Sequence, residues 1–102
     1  MAKSIMQNKK ECFLCRIEAG KEVELPDYGL ECHHIMNGVA NRKLSEKYGL
    51  KIWLCPDHHR NKEWAVHRNA GTMLIVKVMG QEKFEKLYGH DKWMQVFGKS
   101  YI

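Results

Sequence analysis

Apolar residues along this chain follow two different rhythms. Between residues 30 and 55 they alternate with polar ones. Leu30-Glu31-Cys32-His33-His34-Ile35 reads as a short extended segment, with Leu30, Cys32 and His34 on one face and Glu31, His33 and Ile35 on the other. Leu50 to Cys55 alternates again and predicts a second strand. Between the two, Asn37-Gly38 breaks regular structure, and Leu44 to Tyr48 predicts one helical turn, begun by Ser45 and closed by Gly49 in the left-handed conformation. Pro56 suits the first turn of a helix extending from about Asp57 to Trp64.

Beyond residue 69 the period becomes helical. Ala70 to Met79 and Gln81 to Tyr88 predict two helices hinged at Gly80, and Asp91 to Val96 a third, capped by Asp91. Phe84, Leu87 and Tyr88 share one helical face, as do Trp93, Met94 and Phe97; these are core candidates, and Trp53 and Trp64 are assigned to packing as well. Residues 1–11 are polar and lysine-rich, and read as a flexible basic leader. The expectation is a single α+β domain: a leader over 1–11, a core over 12–68 and a helical extension over 69–102 that packs on the core.

At 102 residues and 44% apolar content the core can only be modest, so a covalent or metal staple would help it. Seventeen Lys and Arg against 12 Asp and Glu leave a net charge of +5, which favours a polyanionic partner such as nucleic acid. The basic residues are dispersed, so the fold must assemble any such surface. The longest apolar run, Met73 to Val76 with Val78 and Met79 beyond a lysine, is far shorter than the roughly 20 residues of a membrane span. Met1 to Lys10 lacks the pattern of a signal peptide, so the expectation is a soluble cytoplasmic protein with no membrane partner. In a reducing compartment, four cysteines with histidines nearby point to a metal site rather than disulfides.

Cys12 and Cys15 form one Cys-x2-Cys pair, and Cys55 with His58 a Cys-x2-His pair. Two such knuckles match tetrahedral, structural zinc, because a two-residue spacing lets both side chains converge on one ion. The long intervening segment argues against a ββα finger, whose pairs lie roughly 12 residues apart, and suits a treble clef. Cys32 is left over; it reads as a half-buried strand residue, with replacement of His58 as the fourth ligand left open.

With those ligands set aside, His33-His34, His59 and His67 remain. Glu31-Cys32-His33-His34-Ile35, then Leu54-Cys55-Pro56-Asp57-His58-His59-Arg60 and Val66-His67, resemble the HNH endonucleases of the ββα-metal (His-Me finger) superfamily. Cys12 and Cys15 ahead of them resemble the zinc-binding subset of that family. Asn41 to Leu50 is similar to small HNH proteins of bacterial phages and prophages. The resemblance covers roughly residues 12 to 68.

It implies a metal-dependent DNA endonuclease, phage or mobile-element encoded. By that resemblance His34 is the general base, and an imidazole whose ordinary pKa is about 6.5 suits the role at neutral pH. His33, His59 and His67 are then ligands of a catalytic divalent metal (Mg²⁺, Mn²⁺, Ni²⁺ or Zn²⁺) that stabilises charge on the phosphate and the leaving oxygen. Two positions depart from the family's pattern. One helical turn after His59 stands Glu63, whereas His67 would lie about 80° around an unbroken helix; both remain candidates for the last ligand, with His67 favoured. The middle asparagine, which steadies the base, is missing before the second strand, leaving Asn37 or Asn41, with Asn41 ranked first. Arg42, Lys43, Arg60, Lys62 and Arg68 flank the site and are candidate phosphate contacts. His90, beside Asp91, is assigned to a loop surface.

Duplex DNA is the expected partner, and a homodimer or a larger phage protein is a further candidate. The competing expectations are a catalytically silent zinc module that binds DNA or protein, and an RNA-directed nuclease.

Overall fold

Two short strands organise the molecule. In the computed structural model, which describes residues 3–102, β1 (Glu31–His34) and β2 (Lys51–Leu54) pair antiparallel, with Cys32 opposite Trp53, His33 opposite Ile52 and His34 opposite Lys51. The ladder continues where Ile35 N–H donates to Leu50 O at 2.9 Å. Ahead of the strands lies α1 (Phe13–Ala19), and between them α2 (Val39–Tyr48). After them come a π-helical turn (Asp57–Asn61), α3 (Ala70–Tyr88) and α4 (His90–Phe97). The result is a small α+β fold whose two-stranded sheet is flanked by helices.

One sheet face supplies the core. Ile52 and Leu54 are buried there with Ile35, Met36, Leu50, Val66 and Val76, and Phe84 and Trp93 from α3 and α4 close the cluster. The Phe84 and Trp93 rings meet edge to face at 5.3 Å, and the Trp93 indole N–H donates to Lys99 O at 2.8 Å, so the buried ring keeps its polar end satisfied. Met94, Leu87 and Tyr88, expected in the core, are exposed. Trp64 is exposed too, so it is not a packing residue.

Four local expectations are corrected. The leader is not loose over residues 3–11: Ile5 N–H donates to Gly49 O, the Ser4 hydroxyl to Lys51 O, and Trp53 N–H to the Gln7 side-chain oxygen at 2.7 Å. Because β1 covers only one edge of β2, the outward Lys51 and Trp53 backbone groups need partners, and the leader provides them. The second correction concerns α2, which begins at Val39 rather than Leu44. Ser45 does not start it; its buried hydroxyl accepts from Met36 N–H and donates to Met36 O, tying the helix to the end of β1. Gly49 closes the helix with φ 72°, and a Cβ there would collide with Lys3 O, so both the left-handed backbone and the packed leader require glycine.

The third correction is at Gly80. Ala70–Tyr88 is one helix, and Gly80 is no hinge but a close contact, where a Cβ would stand 3.0 Å from Ile35 Cγ2. Fourth, the helix expected over Asp57–Trp64 stops at Asn61, and the chain folds back so that Ala65 and Val66 enter the core. Val66 N–H then donates to His58 O and His67 N–H to His59 O, which stacks His67 beside His59. At the far end α4 starts at His90, with Gly89 rather than Asp91 as its cap, and His90 pairs with Glu85 at 2.7 Å. No helix of the described residues is long and apolar enough to cross a membrane.

Candidate functional site

Two clusters of ligand-type side chains share the π-turn, one through His58 and the other through His59. In the first, one ligand atom each from Cys12, Cys15, Cys55 and His58 all fall within 4.8 Å of one another. His58 Nδ1 is 3.5, 3.3 and 3.2 Å from the three sulfurs of Cys12, Cys15 and Cys55, and Cys15 Sγ is 3.8 Å from Cys55 Sγ. Tetrahedral zinc, with bonds of about 2.3 Å to sulfur and about 2.05 Å to nitrogen, separates its ligands by about 3.8 Å (S to S) and about 3.6 Å (S to N). The four residues therefore lie close together in a geometry that can hold an ion such as zinc.

The local chain explains the convergence. Cys12 caps α1 and its sulfur accepts from Cys15 N–H at 3.4 Å, the knuckle that turns both thiols the same way. Cys55 follows the last residue of β2, and the tight π-turn swings His58 back over it. Behind the ring, His58 Nε2 meets Glu18 Oε1 at 3.1 Å, which orients Nδ1 toward the sulfurs. Burial raises the Cys12 and Cys15 thiols, so both hold their protons until a cation displaces them. Cys32 is exposed and lies apart from this cluster, so it neither replaces His58 nor is half-buried as expected.

The second cluster is His33, His59 and His67, again with one nitrogen from each ring within 4.8 Å of the others. Ring centroids lie 5.4 Å apart for His33 and His59, 5.0 Å for His33 and His67, and 4.6 Å for His59 and His67. His33 sits on the inward face of β1, 3% exposed, and its Nε2 is buried with no hydrogen-bond partner among the described residues. Burial, reinforced by His67, His59 and His34, pushes this imidazole down to about 3, and burial also lowers His67, so both rings are neutral and carry a lone pair at neutral pH. His59 Nδ1 pairs with Glu31 Oε1 at 2.8 Å, while the other Glu31 oxygen takes Arg60. The hydrogen bond to His59 is the main cause holding the Glu31 carboxyl below its ordinary range. His59 Nε2 faces His67 Nε2 at 3.0 Å.

An orphaned buried nitrogen, three converging imidazoles and a carboxylate behind one of them fit a divalent cation of the imidazole-preferring kind. Glu63 is exposed and stands outside the cluster, whereas His67 lies within it; that follows from the early end of the helix.

The trio opens into a cleft of about 440 Å³ whose lining includes His34, Asn37 and Arg42. His34 projects from the opposite face of β1 to His33. Its Nε2 lies 3.0 Å from Glu46 Oε1, and the other Glu46 oxygen receives Lys51 Nζ at 2.6 Å. Lys51 and then His34 hold the Glu46 carboxyl down at about 2, so it is fully ionised at neutral pH. The residue that steadies His34 is thus Glu46; among the described residues neither Asn41 nor Asn37 bonds to it, which corrects the expectation placed on Asn41. Glu46 went unread because only the register, with Lys51 directly across from His34, puts an acid of α2 between them. Of the basic candidates, Arg42 lines the cleft, and Lys43 and Lys62 are exposed. Arg60 is engaged by Glu31 and Arg68 by Asn61 O.

Comparison of the chain with protein-family models, with curated proteins and with solved structures finds no match.

Proposed function

We propose that the protein is a metal-dependent endonuclease of the HNH type that hydrolyses phosphodiester bonds in DNA, on a zinc-stapled ββα-metal core of treble-clef design. The observation that carries the reading is the buried, unpartnered Nε2 of His33 within a trio of imidazoles, next to a histidine backed by a carboxylate in the same cleft. The order knuckle, strand, strand, turn around the Cys and His quartet supports the treble-clef description.

His33, His59 and His67 would hold a divalent ion, which would supply Lewis-acid stabilisation to the phosphate and the leaving oxygen. His34 is the general base. Its Nε2–H donates to Glu46, which leaves the Nδ1 lone pair to take a proton from the attacking water. Glu46 is a positioning residue: it fixes the tautomer and the ring plane, and stabilises the imidazolium that forms, as the carboxylate behind the histidine of a Ser-His-Asp triad does. Glu31 plays the same orienting part for His59. Arg42 at the cleft wall meets a neighbouring phosphate. Hydrolysis leaves a 5′ phosphate and a 3′ hydroxyl.

The test is incubation of the purified protein with supercoiled plasmid and Mg²⁺, Mn²⁺ or Ni²⁺, beside His34→Ala. Relaxed or linear product from the wild type only is the expected result. No product from the wild type with any of the three ions would replace this reading by a zinc-stabilised binding module.

A further inference from the structure

The sheet face that bears Cys32 and Trp53 is turned away from the core, and the leader arches across it. Between them lies a cavity of about 540 Å³. That size falls within the roughly 300–1,000 Å³ of small-ligand sites. Lys3, Lys9, Lys10 and Lys51 line it, and none of its described lining residues is acidic. Lys51 is already committed to Glu46, whereas Lys9 and Lys10 form no ion pair among the described residues. The Lys10 ammonium instead stands 4.7 Å from the centroid of the Trp53 ring. An indole face and unpaired ammonium groups in one cavity are the two halves of a nucleotide site: a π surface for a base and cations for its phosphates.

Cys32 lines both this cavity and the cleft that holds His34. Cys32 and His34 are two residues apart on the same face of β1, about 7 Å along the strand. A chain of one or two nucleotides bridges that distance.

We propose that this cavity receives an unpaired nucleotide of a DNA strand, its base stacked on Trp53 and its phosphates held by Lys9 and Lys10. Stacking displaces Lys10 from the ring and frees it for a phosphate. In an uninterrupted duplex the bases are stacked on one another and cannot reach an indole without being extruded, at a cost of a few kcal/mol. The favoured substrate is therefore DNA with unpaired nucleotides beside the cut, such as a flap, gap or bubble. This assignment deepens the endonuclease reading and takes the chemical class of its ligand from it.

The test is fluorescence anisotropy with a dye-labelled oligothymidylate of about ten nucleotides and a blunt duplex of the same length, without added divalent ion. Trp53→Ala should weaken oligothymidylate binding roughly 5- to 150-fold, the range for one stacked base, and leave duplex binding within about twofold. Trp53→Phe should retain most of the affinity. Lys9→Ala with Lys10→Ala, both on exposed side chains, should make binding less salt-dependent, by about 0.7 in logarithmic slope for each phosphate that is no longer neutralised. Zinc content and circular dichroism serve as folding controls. Unchanged oligothymidylate affinity in the tryptophan variants, or an equal loss on both probes, would overturn the proposal. Its failure is separable from that of the endonuclease reading. A wild type that cuts plasmid while ignoring Trp53→Ala in the binding assay sinks only the cavity. A wild type that cuts nothing yet loses oligothymidylate with Trp53→Ala sinks only the hydrolysis.

Discussion

The two clusters of ligand-type side chains meet at adjacent residues, His58 in one and His59 in the other, yet they differ in almost every property that matters. The quartet has three sulfurs and one nitrogen, so a tetrahedral ion would have its shell filled by protein. The trio has three nitrogens, with one ring buried and one exposed at the wall of a cleft, and so leaves coordination positions for water or a phosphate. A closed thiolate shell can only hold the chain together, whereas an open imidazole shell can exchange ligands. His58 and His59 are consecutive in one turn yet belong to different clusters, so a single structural element contributes a side chain to each.

The largest expected effect separates the clusters outright. Cys55→Ser should abolish metal binding at the quartet and unfold the domain, since a structural zinc contributes on the order of 10–16 kcal/mol to small folds; elemental analysis and circular dichroism read both losses. His67→Ala should keep the zinc and the fold. If both variants unfold alike, the distinction between staple and open site is wrong.

Next in size is Glu46→Gln. With His34 as the general base that we propose, loss of its carboxylate partner should lower kcat on plasmid by roughly 10²-fold, with KM, zinc content and second-metal binding unchanged. A change in KM alone would reduce Glu46 to a structural ion pair with Lys51.

Within the trio, Glu31→Gln should weaken Mn²⁺ or Ni²⁺ binding by about 10–100-fold, as loss of an orienting carboxylate does, and His67→Ala should weaken it more. Glu63→Ala should leave it unchanged. Isothermal titration on zinc-loaded protein gives the order, and a dominant effect of Glu63 would reassign the third ligand.

The smallest effect concerns the support behind β1. Gly80→Ala places a methyl 3.0 Å from Ile35 Cγ2. Overpacking of about 1–3 kcal/mol should outweigh the helix-propensity gain of about 1 kcal/mol, lowering the melting temperature by a few degrees while zinc content holds. A rise in melting temperature would mean that α3 can move off the strand, as a hinge at this glycine would allow.

How much of this was legible depended on the range of the interaction responsible. Cys-x2-Cys and Cys-x2-His are local knuckles, and alternation is local too, so the quartet and both strands could be read from residues a few positions apart. The face assignment of His33 also followed from alternation alone. The leader could not be read in this way, because residues 3–11 are polar and gain their place by bonding to the outer edge of β2, far along the chain. Helix α1 went unanticipated, its seven residues being held by Cys12 at the cap and by packing on β2. Gly80 has the composition of a hinge, and only the nearness of Ile35 makes it a packing contact.

From its own order of residues, then, the chain determines which side chains are available as ligands and on which side of a strand each one points, because those facts rest on covalent spacing and backbone period. Tertiary structure alone decided that the post-strand helix ends at Asn61, that His67 rather than Glu63 comes to His59, and that Glu46 meets His34. Each of those outcomes depends on burying Ala65 and Val66 or on registering two strands, and the free energy of burial and pairing belongs to the assembled core rather than to any segment of it.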